Sequence, residues 1–363
     1  IIFIWIKFFI IYNFKKRIIK RPDWTKQVER QRSKKWIDKN ENSDDTLGRR
    51  NFLNLKEINI NDIFAYPDLG KLYLLLSKNL KINYKNILLT NGADGAIKLV
   101  FDTFNKNKKF IVLRFEPSFA MYKIYSKLYA SKDIVIDYKN INGEPSINIS
   151  QIIKKIKKYK PNLILLANPN SPTGTLFNSI QLNYLIKVAK NNRCFILLDE
   201  AYYPYSKLTF INKINKYTNL IVVRSLKAFG LSGMRVGYLV SNVNFVKKVS
   251  SFRPLYEVNS LGAFLFSKLL KNFSDVKKSV KRLLSARNYF ISELKKRNIK
   301  FIKSFGNFTH IKIEKNRDKI LNSISKKFYI RKNESHPSLR GYSRISFTTK
   351  KNYQYILRAI DRF

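Results

Sequence analysis

Short apolar runs alternate with longer amphipathic stretches along most of this chain. Five runs of four or five residues are rich in Leu, Ile and Val: residues 87–90, 110–114, 163–167, 194–198 and 220–223. Runs of this length and composition, bounded by polar or turn-forming residues, predict buried strands. Intervening stretches such as 70–79 and 96–104 follow helical spacing. The alternation between about residues 61 and 250 predicts an α/β domain with a mostly parallel sheet flanked by helices.

The pattern changes towards the C-terminus. Residues 259–297 carry helical periodicity with basic outer positions, residues 301–313 and 329–331 are predicted strands, and residues 352–362 are a predicted final helix. A chain of 363 residues is long enough for one large domain and a smaller second one.

One lysine stands between a predicted strand and a glycine-containing turn. Lys227 follows the run 220–223, and small residues and glycines lead from it to Arg235. A lysine at the end of a buried strand can lose its charge and act as an amine nucleophile. An arginine can hold a phosphate in a bidentate grip. One lysine in a basic chain is a weak signal, but two upstream segments, 168–174 and 197–202, accompany it.

These segments, in this order, resemble the pyridoxal phosphate (PLP) aminotransferases of fold type I, class I/II, and among them the histidinol-phosphate aminotransferase-like branch. The resemblance extends from Lys35 to the C-terminus. It implies a large PLP domain over residues 61–255 and a small α+β domain from residues 35–60 and 256–363. It also implies a homodimer with the active site at its interface, and ping-pong transfer of an amino group. The donor would be an amino acid, or an amino phosphate such as histidinol phosphate, and the acceptor a 2-oxo acid.

Three residues are catalytic by this resemblance. Lys227 is the Schiff-base lysine, and its freed amine moves the substrate proton. Asp199 lies below the ring nitrogen of the cofactor and keeps it protonated, which makes the ring an electron sink. Tyr202 reaches the hydroxyl of the same ring.

Further cofactor contacts begin at the turn after the strand 87–90. A strand, a glycine turn and a helix make an anion site from backbone N–H groups and the helix dipole. The resemblance places the cradle for the cofactor phosphate there, at Ala93 and Asp94. The other implied cofactor-binding positions are Phe119, which stacks on the ring, Asn170, Ser171, Ser225, Arg235, and Tyr66 of the partner subunit.

Two of these segments depart from the family pattern. Ser171 stands where relatives have the asparagine that binds the ring oxygen, with Asn170 one residue earlier. Before the lysine, Arg224 and Leu226 occupy places where Ser or Thr is usual. Three explanations are open: the strand end is shifted by one residue, Ser225 binds the phosphate from another angle, or Arg224 supplies the contact.

Four residues are candidates for substrate binding. Asn40 and Glu41 lie in a polar segment similar to the one that folds over the active site in relatives. Arg344, on a predicted strand, matches the family arginine that grips the substrate's carboxylate or an equivalent anion. Arg331 matches a second anion-binding arginine of the histidinol-phosphate branch.

Two alternative functions stay open. A PLP decarboxylase of the threonine-phosphate type shares the cofactor residues and differs in how it orients the substrate's carboxylate. A catalytically impaired nucleic-acid-binding relative would explain the formal net charge of +47. However, the lysines are spread over almost every segment and no nucleic-acid-binding motif accompanies them, so drift in composition is favoured and no specific nucleic acid is expected.

Composition limits the setting of the protein. The single cysteine, Cys194, excludes an intramolecular disulfide, and two histidines are too few for a His-based metal site, so no metal is expected. Both features fit a reducing cytoplasm. Residues 1–34 are expected to be a disordered extension or an artefact of the start of the sequence, which begins with Ile. Their apolar run, residues 1–12, is short of the roughly 20 residues of a membrane span, so no span is expected; an interfacial anchor is the alternative.

Overall fold

The computed structural model describes residues 29–105 and 109–363, together with Ile19. The apolar run 1–12 and its alternative interpretations therefore lie outside the described residues. None of the helices in the described ranges has the length and apolar character needed to cross a membrane.

A seven-stranded sheet forms the centre of the larger part of the chain. Its strands are β2 (Ile87–Thr90), β3 (Ile111–Glu116), β4 (Lys132–Asp137), β7 (Leu163–Ala167), β8 (Phe195–Asp199), β9 (Leu220–Ser225) and β10 (Gly237–Val240). They lie in the order β2-β10-β9-β8-β7-β3-β4, and the β10 pairings with β2 and β9 are antiparallel. The other pairings are parallel. The prediction of an α/β fold with a mostly parallel sheet is thus confirmed.

Helices cover both faces of this sheet. They are α1 (Asp45–Asn54), α3 (Gly70–Leu80), α4 (Gly92–Phe104), α5 (Ala120–Tyr129), α6 (Ile149–Tyr159), α7 (Ser179–Asn191) and α8 (Val243–Ser250), while the short α2 (Asn61–Phe64) has no buried residue. Successive side chains of a strand point to opposite faces, and in β7 Leu163 and Leu165 enter one apolar core while Ile164 and Leu166 enter the other. Burial on both faces explains why the strands are continuous apolar runs.

Both ends of the described chain meet in a smaller unit. Strands β11 (Lys300–Ile302), β12 (Phe308–Lys312) and β14 (Ser343–Ser346) form an antiparallel sheet, and β1 (Lys35–Trp36) pairs in parallel with β13 (Phe328–Tyr329). A short hairpin, β5 (Lys139–Ile141) and β6 (Glu144–Ser146), lies outside both sheets. The helices of the C-terminal part of the chain are α9 (Ser260–Lys271), whose buried side chains join a core of the larger unit, α10 (Phe273–Lys296), α11 (Arg317–Ser325) and α12 (Lys350–Asp361). Ile37 is buried in the same core as Phe290, Ile311 and Tyr353, so the N-terminal segment packs on C-terminal elements.

Two sequence-based expectations differ from the fold. The periodic stretch 259–297 is two helices, because Asn272 leaves helical dihedral angles (φ −117°, ψ 46°) between α9 and α10. The stretch 301–313 is two antiparallel strands, β11 and β12, and not one. Gly306 lies in the turn between them, where a side chain would meet the ring of Phe308 at 2.6 Å.

Candidate active site

A cavity lies at the carboxyl ends of the central parallel strands, where open α/β sheets bind ligands. It is lined by residues that follow five strands: the turn after β2, the loops after β3 and β7, the end of β8 and the end of β9. At one side the lining includes Phe119, Ser171, Asp199, Tyr202 and Lys227, and the predicted anion cradle lies at the other. The fold therefore brings together residues that are far apart in the sequence. Phe119 and Lys227, for example, are 108 positions apart.

Asp199 is a buried carboxylate at the end of β8, with only 6% of its surface exposed. Its Oδ2 accepts a hydrogen bond from the hydroxyl of Tyr122 (2.8 Å), and its Oδ1 accepts one from the N–H of Ala201 (2.9 Å). Burial raises the pKa of Asp199, while these two hydrogen bonds and the positive charge of Lys227 act in the opposite direction. A carboxylate in this setting is suited to pairing with a cationic group that enters the cavity.

For Tyr202, a neighbouring charge and hydrogen bonds together affect the pKa more than burial does. Burial disfavours its phenolate, but the charge of Lys227 and hydrogen bonds from Ser171 and Asn40 outweigh burial and lower the pKa of Tyr202. The ammonium of Lys227 lies 5.5 Å from the centre of the Tyr202 ring. The amine and the phenol thus face the same space, where the charge of Lys227 favours the phenolate of Tyr202.

The anion cradle is the N-terminus of α4. Gly92, Ala93 and Asp94 line the cavity at the first turn of this helix, and Ser225 and Arg235 line the same cavity. A Cβ on Gly92, whose φ is +69°, would lie 3.2 Å from Nη2 of Arg235, so the guanidinium lies directly against this turn. The backbone amides of a helix N-terminus, the helix dipole and a guanidinium together favour an anion such as a phosphate.

Gly237 allows the cradle to approach the sheet. A Cβ at this position would lie 2.5 Å from the carbonyl carbon of Gly92 and 2.6 Å from the amide nitrogen of Ala93. Gly237 pairs with Thr90 in β2, directly before the turn. Any larger residue here would push the cradle amides away from β10.

Arg224 does not take part in the cavity. Its guanidinium is buried, bonds to Glu200 (Nη2 to Oε2, 2.8 Å) and lies 3.6 Å from the centre of the Tyr203 ring. Strand β9 continues through Ser225, whose side chain lines the cavity. Of the three explanations for the segment before Lys227, the one in which Arg224 supplies the phosphate contact is therefore disfavoured, because the carboxylate of Glu200 already pairs with it.

Asn170 also points away from the cavity. Its Oδ1 accepts from Ser118 (2.6 Å), and its Nδ2 donates to the carbonyl of Pro117 (2.9 Å) and to Oγ1 of Thr173 (2.8 Å). Of the two neighbours considered for the ring oxygen, Ser171 is the one at the cavity. Asn170 joins the loops after β3 and β7.

Residues 29–44, here called the N-terminal strap, cross the molecule next to the cavity. Nδ2 of Asn40 donates to the hydroxyl of Tyr202 (3.0 Å) and to Oγ of Ser171 (3.3 Å). Glu41 instead accepts two hydrogen bonds from Arg30, at 2.9 and 3.0 Å. Of the two strap residues predicted to bind substrate, Asn40 reaches the cavity wall and Glu41 fastens the strap to itself.

The two candidate substrate arginines are backbone neighbours. Arg331 and Arg344 exchange both backbone hydrogen bonds, at 3.1 and 2.8 Å. Arg344 is 7% exposed, its guanidinium lies 5.5 Å from the ring centre of Phe308, and that ring contacts Tyr202. Arg331 is exposed.

Glu334 lies beside these arginines. Its Oε1 is 3.3 Å from Nε of Arg344 and 3.8 Å from Nε2 of the fully buried His310. Burial opposes its ionisation, but His310 and the two arginines outweigh burial and lower the pKa of Glu334. The carboxylate contacts the Nε edge of Arg344, and no hydrogen bond to its two Nη atoms is present within the described ranges.

Tyr66 lies away from the cavity of its own chain. It is 74% exposed and stacks on Tyr256, with ring centres 4.0 Å apart. A tyrosine this exposed is available to a second molecule.

Sequence reasoning missed two residues of this region. Tyr122, the hydrogen-bond donor to Asp199, follows Phe119 by three positions at the start of α5, and this spacing places two side chains on one helix face. Glu334 had no comparable signal, because it lies in an irregular segment and meets Arg344 only through the fold.

The residues present suit PLP. The cradle fits a phosphate, Phe119 offers a ring face, Asp199 offers a buried carboxylate for a ring nitrogen, and Lys227 offers a primary amine for the aldehyde. Each group is a separate requirement of that molecule, and all of them open into one cavity.

Comparison with known proteins agrees with this chemistry. Residues 57–360 match the family "Aminotransferase class I and II". A histidinol-phosphate aminotransferase of Caldanaerobacter subterraneus subsp. tengcongensis is 32% identical over 308 residues, which are 84% of this chain and 85% of that protein.

Solved structures show the same similarity. The histidinol-phosphate aminotransferase from Clostridium acetobutylicum superposes with a TM-score of 0.78 at 25% identity, covering 90% of this chain and 98% of that one. L-threonine-O-3-phosphate decarboxylase from Porphyromonas gingivalis has a TM-score of 0.74 at 22% identity, covering 91% and 99%, and shows the shared fold alone. The chain belongs to the class I and II aminotransferases of PLP fold type I and is a PLP-dependent transaminase.

Proposed function

We propose that this enzyme transfers the amino group of an amino phosphate of the histidinol phosphate type to a 2-oxo acid. The observation that carries the proposal is that Lys227 and the buried Asp199 open into the same cavity as the anion cradle at α4. The similar proteins are histidinol-phosphate aminotransferases, which supports the substrate class. The decarboxylase reading has only the shared fold in its favour.

In this proposal Lys227 binds the cofactor covalently and later carries the proton removed from the amino donor. When bound, PLP supplies an electron sink for the negative charge that develops on the donor carbon. Asp199 would face the ring nitrogen and hold its proton, and Tyr122 keeps the carboxylate oriented through its hydrogen bond. Tyr202 and Ser171 would border the ring oxygen, and Phe119 would stack on the ring.

The phosphate of the cofactor would lie at Ala93 and Asp94, with Ser225 and Arg235 as further contacts. Gly92 supports this placement, because its lack of a side chain leaves room for Arg235 to approach the turn. A group with about two negative charges gains from both the helix dipole and the guanidinium.

The anionic end of the substrate would meet Arg344. Glu334 holds the Nε edge of this guanidinium, which leaves the two Nη atoms to bind an anion. Arg331, beside it on the backbone, adds a second positive charge at the rim. Two neighbouring arginines suit a phosphate, and Arg344 also suits the carboxylate of the 2-oxo acid in the second half-reaction.

We further propose a homodimer in which Tyr66 of the partner subunit contacts the cofactor phosphate. Exposed apolar side chains precede Tyr66 in the sequence, at Ile60, Ile63 and Phe64, and its ring partner Tyr256 lines a surface groove with Leu74 and Leu255. An exposed apolar group of this kind is typical of an interface. The buried single thiol of Cys194 is compatible with work in the cytoplasm.

A paired assay tests the function. Purified enzyme is incubated with PLP and 2-oxoglutarate, once with histidinol phosphate and once with threonine phosphate, and glutamate and CO₂ are both measured. Glutamate formed from histidinol phosphate supports the proposal. CO₂ released from threonine phosphate without glutamate would replace it with the decarboxylase reading.

The variant Arg344→Gln tests the substrate contact. We expect KM for histidinol phosphate to rise about 10²-fold, since a charged hydrogen-bonded pair is lost, while the absorbance of bound PLP stays unchanged. The control is Arg340→Gln, an exposed arginine four residues earlier. An unchanged KM would remove Arg344 from the substrate site.

A further inference from the structure

Asn40 occupies an unusual place for a residue of a surface segment. Only 3% of it is exposed, and its φ of +57° is left-handed, a conformation that asparagine tolerates better than most residues. Its backbone N–H donates to Oγ of Ser346 (2.9 Å), and its carbonyl accepts from Nδ2 of Asn307 (2.8 Å). The small unit therefore fixes this backbone before the side chain reaches the cavity.

The amide of Asn40 contacts two hydroxyl groups of the large part of the chain. Nδ2 lies 3.0 Å from the hydroxyl of Tyr202 and 3.3 Å from Oγ of Ser171, and both residues line the cavity. Oδ1 of the same amide is buried without a hydrogen-bond partner among the described residues. The N–H groups of the Asn40 amide thus donate to these two hydroxyls.

We infer that Asn40 is a positioning residue that turns the Tyr202 hydroxyl into a directed hydrogen-bond donor for the cofactor's ring oxygen. A phenol has one hydrogen and two lone pairs. When it accepts from Asn40 on the strap side, its own hydrogen is left for an acceptor inside the cavity. Donation to the oxygen also polarises the O–H bond and strengthens it as a donor.

The contact with Ser171 adds a second function to the same amide. Ser171 carries a side chain that is short for reaching across the cavity, and Asn40 holds its hydroxyl next to that of Tyr202. The loop after β7 has no amide side chain at the position of Ser171, and Asn40 of the strap supplies an amide at this part of the cavity wall. The inference rests on the proposed placement of the cofactor ring beside Tyr202.

The first test uses the protein without PLP. The ionisation of Tyr202 is read as the difference between the phenolate absorbance titrations of the wild type and Tyr202→Phe. In an Asn40→Gly background the same difference is measured again, because glycine keeps the left-handed backbone and removes the amide. We expect the Tyr202 ionisation to move up by about half a pH unit to one unit.

The second test uses PLP and measures the pH at which the absorbance of the bound cofactor changes. A donor to an oxygen anion favours the more negative form of a site, so its loss raises the pKa. We expect Asn40→Gly and Asn40→Ser to shift this pH upward by about half a unit or more, and to weaken PLP binding about three- to tenfold.

The matched control is Ser43→Ala. Ser43 lies in the same strap and donates to the carbonyl of Phe347 (2.7 Å), and it does not line the cavity. We expect this variant to titrate like the wild type. Equal shifts in Ser43→Ala would mean that the strap acts only as a structural support, and unshifted titrations in both Asn40 variants would overturn the inference.

The two tests separate this inference from the proposed function. A wild type that takes up no PLP contradicts the placement of the cofactor, whatever Asn40 does. A wild type that takes up PLP, with Tyr202 ionisation independent of Asn40, contradicts the inference alone.

Discussion

Tyr122 donates a hydrogen bond to Oδ2 of Asp199 across 2.8 Å, and both groups are buried beside the cavity. Tyr122 comes from the first turn of α5, and Asp199 is the last residue of β8. The pair fixes one carboxylate oxygen, and the N–H of Ala201 fixes the other. Asp199 is therefore held in one orientation before any cofactor enters.

The variant Tyr122→Phe removes this donor and keeps the ring. We expect the PLP-free protein to lose about 1 to 2 kcal/mol of unfolding free energy near neutral pH, because a buried charge loses a hydrogen bond. The loss becomes smaller in acid, where Asp199 is protonated. Urea unfolding of both proteins at pH 8 and at successively lower pH values, down to the lowest at which the wild type is folded, measures it, and an equal loss over this whole range would contradict the assignment.

Asp199→Asn is expected to change the pH dependence of stability in the PLP-free protein. Burial raises the pKa of Asp199 above its ordinary value of 3.8. A raised folded-state pKa gives stability that is fully present below the ordinary value and is lost as the pH rises through the raised one. The wild type therefore loses stability on going from acid to neutral pH through this group, and Asp199→Asn does not.

The measurement is the unfolding free energy of wild type and Asp199→Asn between pH 4 and pH 8. We expect the stability of the variant relative to the wild type to increase as the pH rises over this interval, and the variant to bind PLP poorly at every pH. A stability difference between the two proteins that does not change with pH would show that the pKa of Asp199 is not raised in the folded state.

The buried pair of Arg224 and Glu200 is expected to be structural. Arg224→Leu leaves the carboxylate of Glu200 unpaired and is expected to cost about 3 to 5 kcal/mol of unfolding free energy. The double variant Arg224→Leu with Glu200→Leu removes both charges and is expected to recover most of that loss. Urea unfolding of the three proteins checks this.

The affinity for PLP separates Arg224 from Ser225. Under conditions where both variants are folded, Ser225→Ala is expected to weaken PLP binding about five- to tenfold, because it removes a hydroxyl at the cradle. Arg224→Leu is expected to bind PLP as the wild type does. Weaker PLP binding by Arg224→Leu would indicate that this arginine contacts the phosphate.

The exposed apolar surface around Tyr66 tests the dimer. Ile63 is 69% exposed on α2, and Ile63→Asp places a charge in the proposed interface twice, once from each copy. We expect the dimer dissociation constant to rise about 100-fold in sedimentation experiments. The control is Ile180→Asp on α7, an isoleucine that is 78% exposed elsewhere. Equal association of both variants and the wild type would contradict the interface.

Much of the fold follows from local pattern. Buried parallel strands are continuous apolar runs, so β7 could be placed to the residue and β8 to within one position. The break at Asn272 could not be foreseen, because the apolar spacing continues through it from α9 into α10. Periodicity reports which face is buried and does not report a change of helix direction.

In the candidate site, too, some positions follow from local sequence pattern and others only from the fold. Lys227 and Asp199 follow strands, so their place at the carboxyl edge of the sheet is a consequence of strand position. Arg224 and Glu200 are 24 residues apart, and only the parallel register of β8 and β9 brings them together. Single residues carry no signal of such a partner, which is why Arg224 resembled a phosphate contact in the sequence.

The covalent role of Lys227 is the central claim about this chain. The direct measurement is the visible absorbance of the purified protein with PLP, for the wild type, Lys227→Ala and the control Lys190→Ala, an exposed lysine on α7. We expect the absorbance band of covalently bound cofactor in the wild type and in Lys190→Ala, and its loss in Lys227→Ala. An unchanged band in Lys227→Ala would show that another lysine binds the cofactor and would contradict the site described above.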